Sequence, residues 1–259
     1  MLAQGGLLHE EFRRQIRATL KGVDALEPAF RKVWDVLASE DYATRLSFRQ
    51  VHETFFLIER IKNEPWTPIL QIEALRFLAP IPVFRDASPL RSELRQQFGD
   101  SSPLQPADLV SVDMELVARR EAELLCQALL ALPAPARAVV LGDLAAAVTG
   151  FLAEILDWFS FLELGGSEPG PTTFAMPSIE EHPQNHHYET WTWLIDLVRE
   201  GVLALHQTKP ELTRSVVAQW HTIDSPLFRR LTLFAATYVE SVGVSIGAEV
   251  LAAKNNIAL

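Results

Sequence analysis

Cysteine is almost missing from this chain, because Cys126 is the only one among 259 residues. A single thiol cannot form an internal disulfide, so a disulfide framework within the chain is excluded and a cytoplasmic location is expected. Cys126 lies in an apolar segment with Leu125 and Leu129 at helical spacing. This setting favours a buried structural thiol over a catalytic nucleophile.

An excess of positive charge is also missing, since the formal net charge is −10. Phosphate binding depends on clustered cations, so broad contact with nucleic acid or with an anionic membrane is not expected. Local basic groups remain, and we interpret them as solvated helix faces or ion-pair partners. They are Arg13, Arg14, Arg17 and Lys21, then Arg85, Arg91 and Arg95, and finally Arg229 and Arg230.

Neither a signal peptide nor an uncharged membrane-length run is found. Residues 1–8 lack the basic start of a signal peptide. The longest apolar run, residues 139–164, carries Asp143, Glu154 and Asp157. Acidic side chains are costly in hydrocarbon, so we predict that this run is the central buried helix of a globular core, without a membrane span.

Strand signals are scarce, because we find no alternation of Val, Ile or Thr longer than about four residues. Hydrophobic residues make up 48% of the chain, with six Trp and 14 Phe, which is enough for a sizeable core. We therefore predict an all-α fold of antiparallel helical hairpins, stacked as an irregular solenoid or bundle. We divide it into an N-terminal helical part, residues 1–100, and a C-terminal helical-repeat part, residues 101–259, within one continuous helical domain.

Helical periodicity is clearest in residues 191–240. One apolar stripe predicts a helix that ends near residues 206–208, with Asp196, Arg199 and Glu200 between the apolar residues and facing water. Thr208 to Glu211 has the spacing of a capping box and predicts the next helix start. The first stripe consists of Trp191, Leu194, Leu197, Val198, Val202 and Leu205.

A Ser-Pro pair at Ser225 predicts a third helix, with Leu227, Leu231, Phe234, Tyr238 and Val242 facing the core. Elsewhere, similar patterns predict helices near residues 8–20, 28–37, 44–62, 69–78, 89–98, 105–131, 136–164 and 244–253. Two prolines exclude helix at residues 80–85, which we interpret as an ordered connector. Residues 165–184 form the longest irregular segment.

No catalytic, cofactor-binding or metal-binding residue is assigned, because the short motifs of such sites are incomplete. His52-Glu53 resembles the start of a zinc-protease helix, but Phe56 stands where the second histidine is needed. A glycine-rich phosphate loop is absent, because Gly165-Gly166 is not followed by Gly-Lys and Ser or Thr. The best candidate is a cluster of imidazoles and carboxylates in residues 180–189: Glu180, Glu181, His182, His186, His187 and Glu189. It could form a metal site or a solvated loop. Trp66, Trp191 and Trp193 could line a groove, although core packing is the simpler interpretation.

The segment of residues 191–234, with its Trp220 and its run Asp224-Ser-Pro-Leu-Phe-Arg-Arg-Leu-Thr-Leu-Phe-Ala235, resembles the helical-repeat regions of large bacterial anti-phage defence proteins. In those proteins a solenoid follows a sirtuin-like NADase or a STAND-type ATPase. The effector and nucleotide motifs are absent here, so the resemblance carries over no catalytic residue. It implies the sensing or scaffolding part of such an assembly.

These observations favour a non-enzymatic scaffold that binds a protein partner or a second copy of itself, in the cytoplasm and without membrane or nucleic-acid contact. A metal-dependent hydrolase with a His/Glu site in residues 180–189 is the alternative. A nucleic-acid-binding helical module that uses the arginine stripes is the second alternative.

Overall fold

The computed structural model describes residues 33, 51–86, 110–161, 176, 178–185, 187, 189–240 and 242. Helices account for 74% of this part of the chain, which confirms a mostly α-helical protein. The helices predicted near residues 8–20, 89–98 and 244–253 lie outside the described residues.

Seven α-helices and one small sheet make up the described part of the chain. The helices at residues 44–62, 69–78, 136–164 and 191–240 were predicted, and their described parts are confirmed. The bounds are α1 Val51–Asn63, α2 Pro68–Leu78, α3 Ala122–Leu130, α4 Ala134–Phe161, α5 Trp193–Thr208, α6 Pro210–Thr222 and α7 Pro226–Tyr238.

The sheet corrects the all-α expectation. Strand β1, Pro80–Asp86, pairs antiparallel with β2, Val110–Leu116, so that Pro80 faces Leu116 and Asp86 faces Val110. The connector predicted at residues 80–85 is therefore a strand. Its prolines are tolerated because each strand of a two-stranded sheet is an edge strand, which leaves part of the backbone outside the ladder.

The single helix predicted over residues 105–131 is wrong. Strand β2 comes first, a 3-10 turn at Arg119–Glu121 follows, and α3 begins only at Ala122. The physical reason is the period of two in β2, whose alternate residues Val112, Met114 and Leu116 are buried. Strands β1 and β2 stand on either side of the boundary proposed near residue 100, and the division into two parts stays a prediction.

Helix α4 is the central element of the described core. It packs most extensively against α5 and also contacts α2, α3 and both strands. The buried residues spread along its whole length: Val140, Leu141, Leu144, Ala145, Val148, Leu152, Ile155 and Trp158. By length and composition, residues 134–160 would also qualify as a membrane-crossing helix, and half of the 18-residue window that meets this criterion is buried inside the protein. The core helix of a soluble protein meets the same criterion.

Gly201 allows α4 and α5 to approach closely. A Cβ atom placed on Gly201 would lie 3.1 Å from the carbonyl oxygen of Leu141 and 3.2 Å from the Cβ of Ala145. Both distances are shorter than an ordinary van der Waals contact. Because one neighbour is backbone, a branched side chain at Gly201 would force the two helices apart.

A buried hydrogen bond ties α6 to α4. The indole N–H of Trp220 donates to Thr149 Oγ1 at 3.2 Å, and the same hydroxyl donates to the carbonyl of Ala145 at 2.8 Å. Trp220 and Thr149 are each about 1% exposed. A buried indole N–H needs such a partner, because leaving it unpaired costs the full desolvation free energy.

Two helix starts were predicted in the C-terminal part, and the structure confirms the one at Ser225 but not the one at Thr208. Ser225 caps α7 by accepting a hydrogen bond from the backbone N–H of Leu227 at 3.2 Å. The capping box at Thr208 is wrong, because Thr208 is the last residue of α5 and its hydroxyl donates to the carbonyl of Ala204. Lys209 occupies the N-cap position of α6 without a side-chain cap.

We expect Gly201→Val to lower the free energy of unfolding by about 2 kcal/mol, because overpacking a tight helix contact costs roughly 1–3 kcal/mol. Gly150 is the matched control, since a Cβ atom there would meet nothing within 4 Å. Gly150→Ala should instead raise the free energy of unfolding by about 0.5–1 kcal/mol. Urea denaturation followed by circular dichroism measures both, and equal effects would contradict the close approach.

We expect Thr149→Val to lower the free energy of unfolding by about 1–3 kcal/mol, because the Trp220 indole N–H loses its buried partner. Thr237→Val is the control, since the Thr237 hydroxyl makes the same type of bond, to the carbonyl four residues earlier, at an exposed position. That substitution should change the free energy of unfolding by less than about 0.5 kcal/mol.

Candidate functional site

An irregular segment is held against α5 and α7 by side chains of these helices. We name it the strap, and its described residues are 176, 178–185, 187 and 189. Arg230 Nη1 donates to the carbonyl of Met176 at 2.6 Å, and Arg199 Nη1 donates to the carbonyl of Ile179 at 2.9 Å. The hydroxyl of Tyr238 donates to Glu180 Oε1 at 2.6 Å. The strap is thus fastened by donors that belong to the helices.

The polar groups at the far end of the strap form the Asp196 cluster, which we define as His187, Thr192, Asp196, Arg199 and Glu200. Asp196 is in the centre. Its Oδ2 lies 3.0 Å from His187 Nε2, and its Oδ1 accepts from Arg199 Nη1 at 2.8 Å. Arg199 Nε also donates to Glu200 Oε1 at 2.9 Å. Two anionic side chains therefore surround one guanidinium.

The prediction that Asp196 and Arg199 face water is wrong. They are only 8% and 6% exposed. The strap covers them, and Arg199 reaches its backbone through the carbonyl of Ile179. Buried ionic side chains persist only when they are paired and hydrogen-bonded, which is the case here. The sequence contained one indication of this ion pair, because an acidic residue and an arginine three positions apart on a helix can contact each other.

The two ring nitrogens of His187 contact two different partners. The Thr192 hydroxyl donates to the carbonyl of Glu189 at 2.7 Å, and its oxygen lies 3.0 Å from His187 Nδ1. His187 Nε2 lies 3.0 Å from Asp196 Oδ2. The imidazole also stacks on Trp193, with ring centroids 3.8 Å apart.

The line Thr192–His187–Asp196 has the residue types of a catalytic triad, but its geometry does not suit nucleophilic attack. Thr192 is fully buried, and its hydroxyl proton is engaged by the carbonyl of Glu189. No substrate carbonyl can approach a hydroxyl enclosed in this way. The Asp196 cluster therefore fastens the strap to α5.

Cys126 lies on α3 and is fully buried, as expected for a structural thiol. Burial raises the pKa of the Cys126 thiol far above its ordinary value, and the negative charge of Asp196 raises it further. The thiol therefore stays protonated and unreactive at neutral pH. Helix α3 packs against α5, the helix that carries Asp196.

The imidazoles and carboxylates singled out in residues 180–189 have separate partners where the structure describes them. Glu180 accepts from Tyr238, whereas His182 Nδ1 accepts from the backbone N–H of Gln184 at 3.2 Å. His186 lies outside the described residues. Within the described part of the chain, no three His, Cys, Asp or Glu side chains lie together as a metal site would need.

The aromatic and basic residues singled out in the sequence lie in different parts of the structure and have different partners. Trp191 is buried against Phe159, whereas Trp193 stacks on His187. Arg229 pairs with Asp224 at 3.1 Å, whereas its neighbour Arg230 points to the strap. The sequence did not predict the role of Arg230, because its partner is a backbone carbonyl, which every residue has and which no residue type marks in the sequence. The N-terminal arginine stripe lies outside the described residues.

Asp196→Asn should lower the free energy of unfolding by about 3 kcal/mol, because breaking a buried ion pair leaves part of a charge uncompensated. Glu211→Gln is the control. Glu211 and Arg214 form an ion pair with the same spacing of three residues, but both side chains are mostly exposed. Loss of this exposed ion pair should lower the free energy of unfolding by less than about 0.5 kcal/mol. Urea denaturation at neutral pH compares the two, and similar losses would contradict the burial of Asp196.

Comparisons with known proteins leave the chain without a match. No protein-family model, no curated protein sequence and no solved structure is similar to it. The strap and the Asp196 cluster are therefore interpreted from their own geometry.

Proposed function

We propose that this chain is a non-enzymatic α-helical scaffold that binds a protein partner through the exposed apolar face of the α1–α2 hairpin. The observation that carries the proposal is the exposure of four large apolar side chains on these two helices. Phe56 is 70% exposed, Ile72 67% and Ile69 64%, and Phe55 is half-exposed. Phe55 and Phe56 are adjacent in α1, and Ile69 and Ile72 lie three residues apart in α2, which contacts α1. Exposed apolar surface of this kind on a soluble protein commonly marks a binding site.

Other apolar residues of α1 and α2 fill the core, so the exposed apolar side chains of these helices are not needed for folding. Leu57, Ile58 and Ile61 of α1 are buried, and so are Leu70 and Phe77 of α2. Each helix thus has one apolar face in the core and further apolar residues outside it. A helix that is apolar on more than one side is typical of an element that is buried between two bodies.

The charges on the hairpin favour a protein partner over a nucleic acid. Arg60 pairs with Glu73 at 2.6 Å and with Glu64 at 3.2 Å, while Lys62 approaches Glu59 at 3.5 Å. The cations of this surface are already matched by carboxylates, and the whole chain is acidic. The expected contact is therefore apolar, and it should withstand salt that would screen a phosphate contact.

The resemblance of residues 191–234 to the helical-repeat regions of bacterial anti-phage defence proteins supports a narrower form of the proposal. In that form the chain is the sensor or adaptor part of such an assembly, in the cytoplasm. Helices α5, α6 and α7 contact one another in succession, as neighbouring helices of an irregular stack would. We propose this stack as the scaffold that carries the α1–α2 hairpin.

The test compares the wild type with the triple variant Phe56→Gln, Ile69→Gln, Ile72→Gln. Each protein is tagged, expressed in cells of the source organism and purified in 0.1 M and in 0.5 M NaCl. Light scattering gives the mass of the complex, and mass spectrometry gives its composition. We expect the wild type to retain a stoichiometric protein partner or second copy at both salt concentrations and the triple variant to lose it.

A control variant changes three exposed apolar residues elsewhere, Leu124→Gln, Val139→Gln and Leu212→Gln, and should keep the partner. All the substituted side chains are exposed, so each protein should retain its helical circular dichroism spectrum. A monomeric wild type without a stoichiometric partner would contradict the proposal, and so would equal loss in both triple variants. Recovery of nucleic acid that disappears in 0.5 M NaCl would favour the nucleic-acid alternative.

A further inference from the structure

Apolar and charged side chains share one side of the α1–α2 hairpin. Arg60 Nη1 donates to Glu73 Oε2 at 2.6 Å, so the sides of α1 and α2 that carry these two residues adjoin. Phe56 comes four residues before Arg60 in α1, and Ile69 comes four residues before Glu73 in α2. Residues four apart lie on the same side of a helix. The exposed Phe56 and Ile69 therefore lie on the side of the hairpin that carries the ion pair.

The direction of the two helices places these apolar residues at opposite ends of the ion pair. Helix α1 runs toward the loop of residues 64–67 and α2 runs away from it. Phe56 is thus farther from the loop than Arg60 is, whereas Ile69 is nearer to it than Glu73. Two adjacent helices that carry apolar residues along one side offer a surface on which a third, amphipathic helix can pack.

The ion pair on this side of the hairpin has an excess of negative charge. Arg60 is shared between two carboxylates, because its Nε also lies 3.2 Å from Glu64 Oε2. One guanidinium balances only one of the two. The side chains of Arg60 and Glu73 are each 38% exposed and that of Glu64 is 50% exposed, so a partner can reach them.

The remaining formal charges of the two helices cancel. Lys62 approaches Glu59 at 3.5 Å. Glu53 lies in the first turn of α1 and Arg76 in the last turn of α2, so one charge of each sign belongs to the end of the hairpin away from the loop. The net charge that the hairpin offers is therefore the excess carboxylate beside Arg60. A cation placed against it is attracted, and an anion is repelled.

We propose that the partner of the α1–α2 hairpin contributes an amphipathic helix whose apolar side carries one Lys or Arg near its middle. The apolar residues of this helix pack on Phe56, Ile69 and Ile72, and its cation meets Glu64 and Glu73. The inference rests on the proposed function and names the chemistry of the partner surface. Apolar burial supplies most of the affinity, and the charge selects among apolar helices.

The probes are three fluorescein-labelled synthetic peptides, each designed as an amphipathic helix of about 18 residues with Leu at helical spacing. They are identical except for one central position on the apolar side, which is Lys, Gln or Glu. Fluorescence anisotropy with the full chain gives their dissociation constants. In 0.1 M NaCl we expect the wild type to bind the Lys peptide about fivefold more tightly than the Glu peptide, with the Gln peptide between them. In 0.5 M NaCl the preference should fall below about twofold, while binding persists.

The double variant Glu64→Gln with Glu73→Gln tests the source of this preference. It leaves Arg60 as an unmatched cation, so it should bind the Glu peptide more tightly than the Lys peptide. Glu211→Gln is the matched control, because Glu211 forms an exposed ion pair with Arg214 on α6. That variant should keep the preference of the wild type. The substituted side chains are all exposed or partly exposed, and circular dichroism checks that each variant keeps its helices.

Equal binding of the three peptides by the wild type would overturn the inference, and so would a Lys preference that survives in the double variant. Undiminished binding of the Lys peptide by the variant Phe56→Gln, Ile69→Gln, Ile72→Gln would also overturn it, because the peptide would then bind elsewhere. These outcomes leave the proposed function standing as long as the wild type co-purifies with a partner that the triple variant loses. A wild type that co-purifies with no partner would contradict the proposed function, and this inference with it.

Discussion

The close contact between α4 and α5 is the constraint on which the rest of the described structure depends. It exists because Gly201 has no side chain, so that α5 can lie against the backbone of Leu141. The other elements then use the remaining sides of α4. Gln71 of α2 donates to the carbonyl of Asp143 at 3.0 Å, and Trp220 of α6 donates to Thr149. Helix α5 itself also contacts α3, α6 and α7. A shift of α5 would therefore disturb several contacts at once, since packed cores have little free volume.

The position of α5 also determines where charge can be buried. Asp196 and Arg199 lie near its first turn, and each is costly to remove from water unless its hydrogen bonds are complete. The strap supplies the missing partners, His187 and the carbonyl of Ile179. An irregular segment can do this because its carbonyls are not used by a helix ladder. The buried ion pair and the docked strap are thus mutually dependent.

The sequence predicted those features that depend on neighbouring residues. The apolar stripe of α5 and the Ser225 cap of α7 are local patterns, and both were recognised. Thr208 shows the limit of that reasoning, because the spacing of a capping box does not reveal that its first residue already ends the preceding helix. Thr208 could be assigned either to the end of α5 or to the start of α6, and the spacing of residues alone did not decide between the two.

Features that depend on distant residues were missed for a different reason. Strand β2 shows a period of two over few residues, and its identity is decided by pairing with β1 across a long separation in sequence. Likewise, Asp196 occupies a position that periodicity assigns to water. Only the strap, which joins it through His187, makes that position part of the core. Periodicity indicates which residues share a helix face, but it cannot indicate what covers the face.

The proposed partner surface and the contacts of the strap differ in their physical source. On the α1–α2 hairpin the ion pairs of Arg60 are internal, so the exposed Phe56 and Ile72 offer mainly apolar area, whose contribution salt does not screen. At the strap, Arg199 and Arg230 donate to backbone carbonyls, and Met176 and Ile179 are buried. The donors around the strap are therefore used within the chain, whereas the hairpin leaves large apolar side chains exposed, which favours the hairpin as the partner surface.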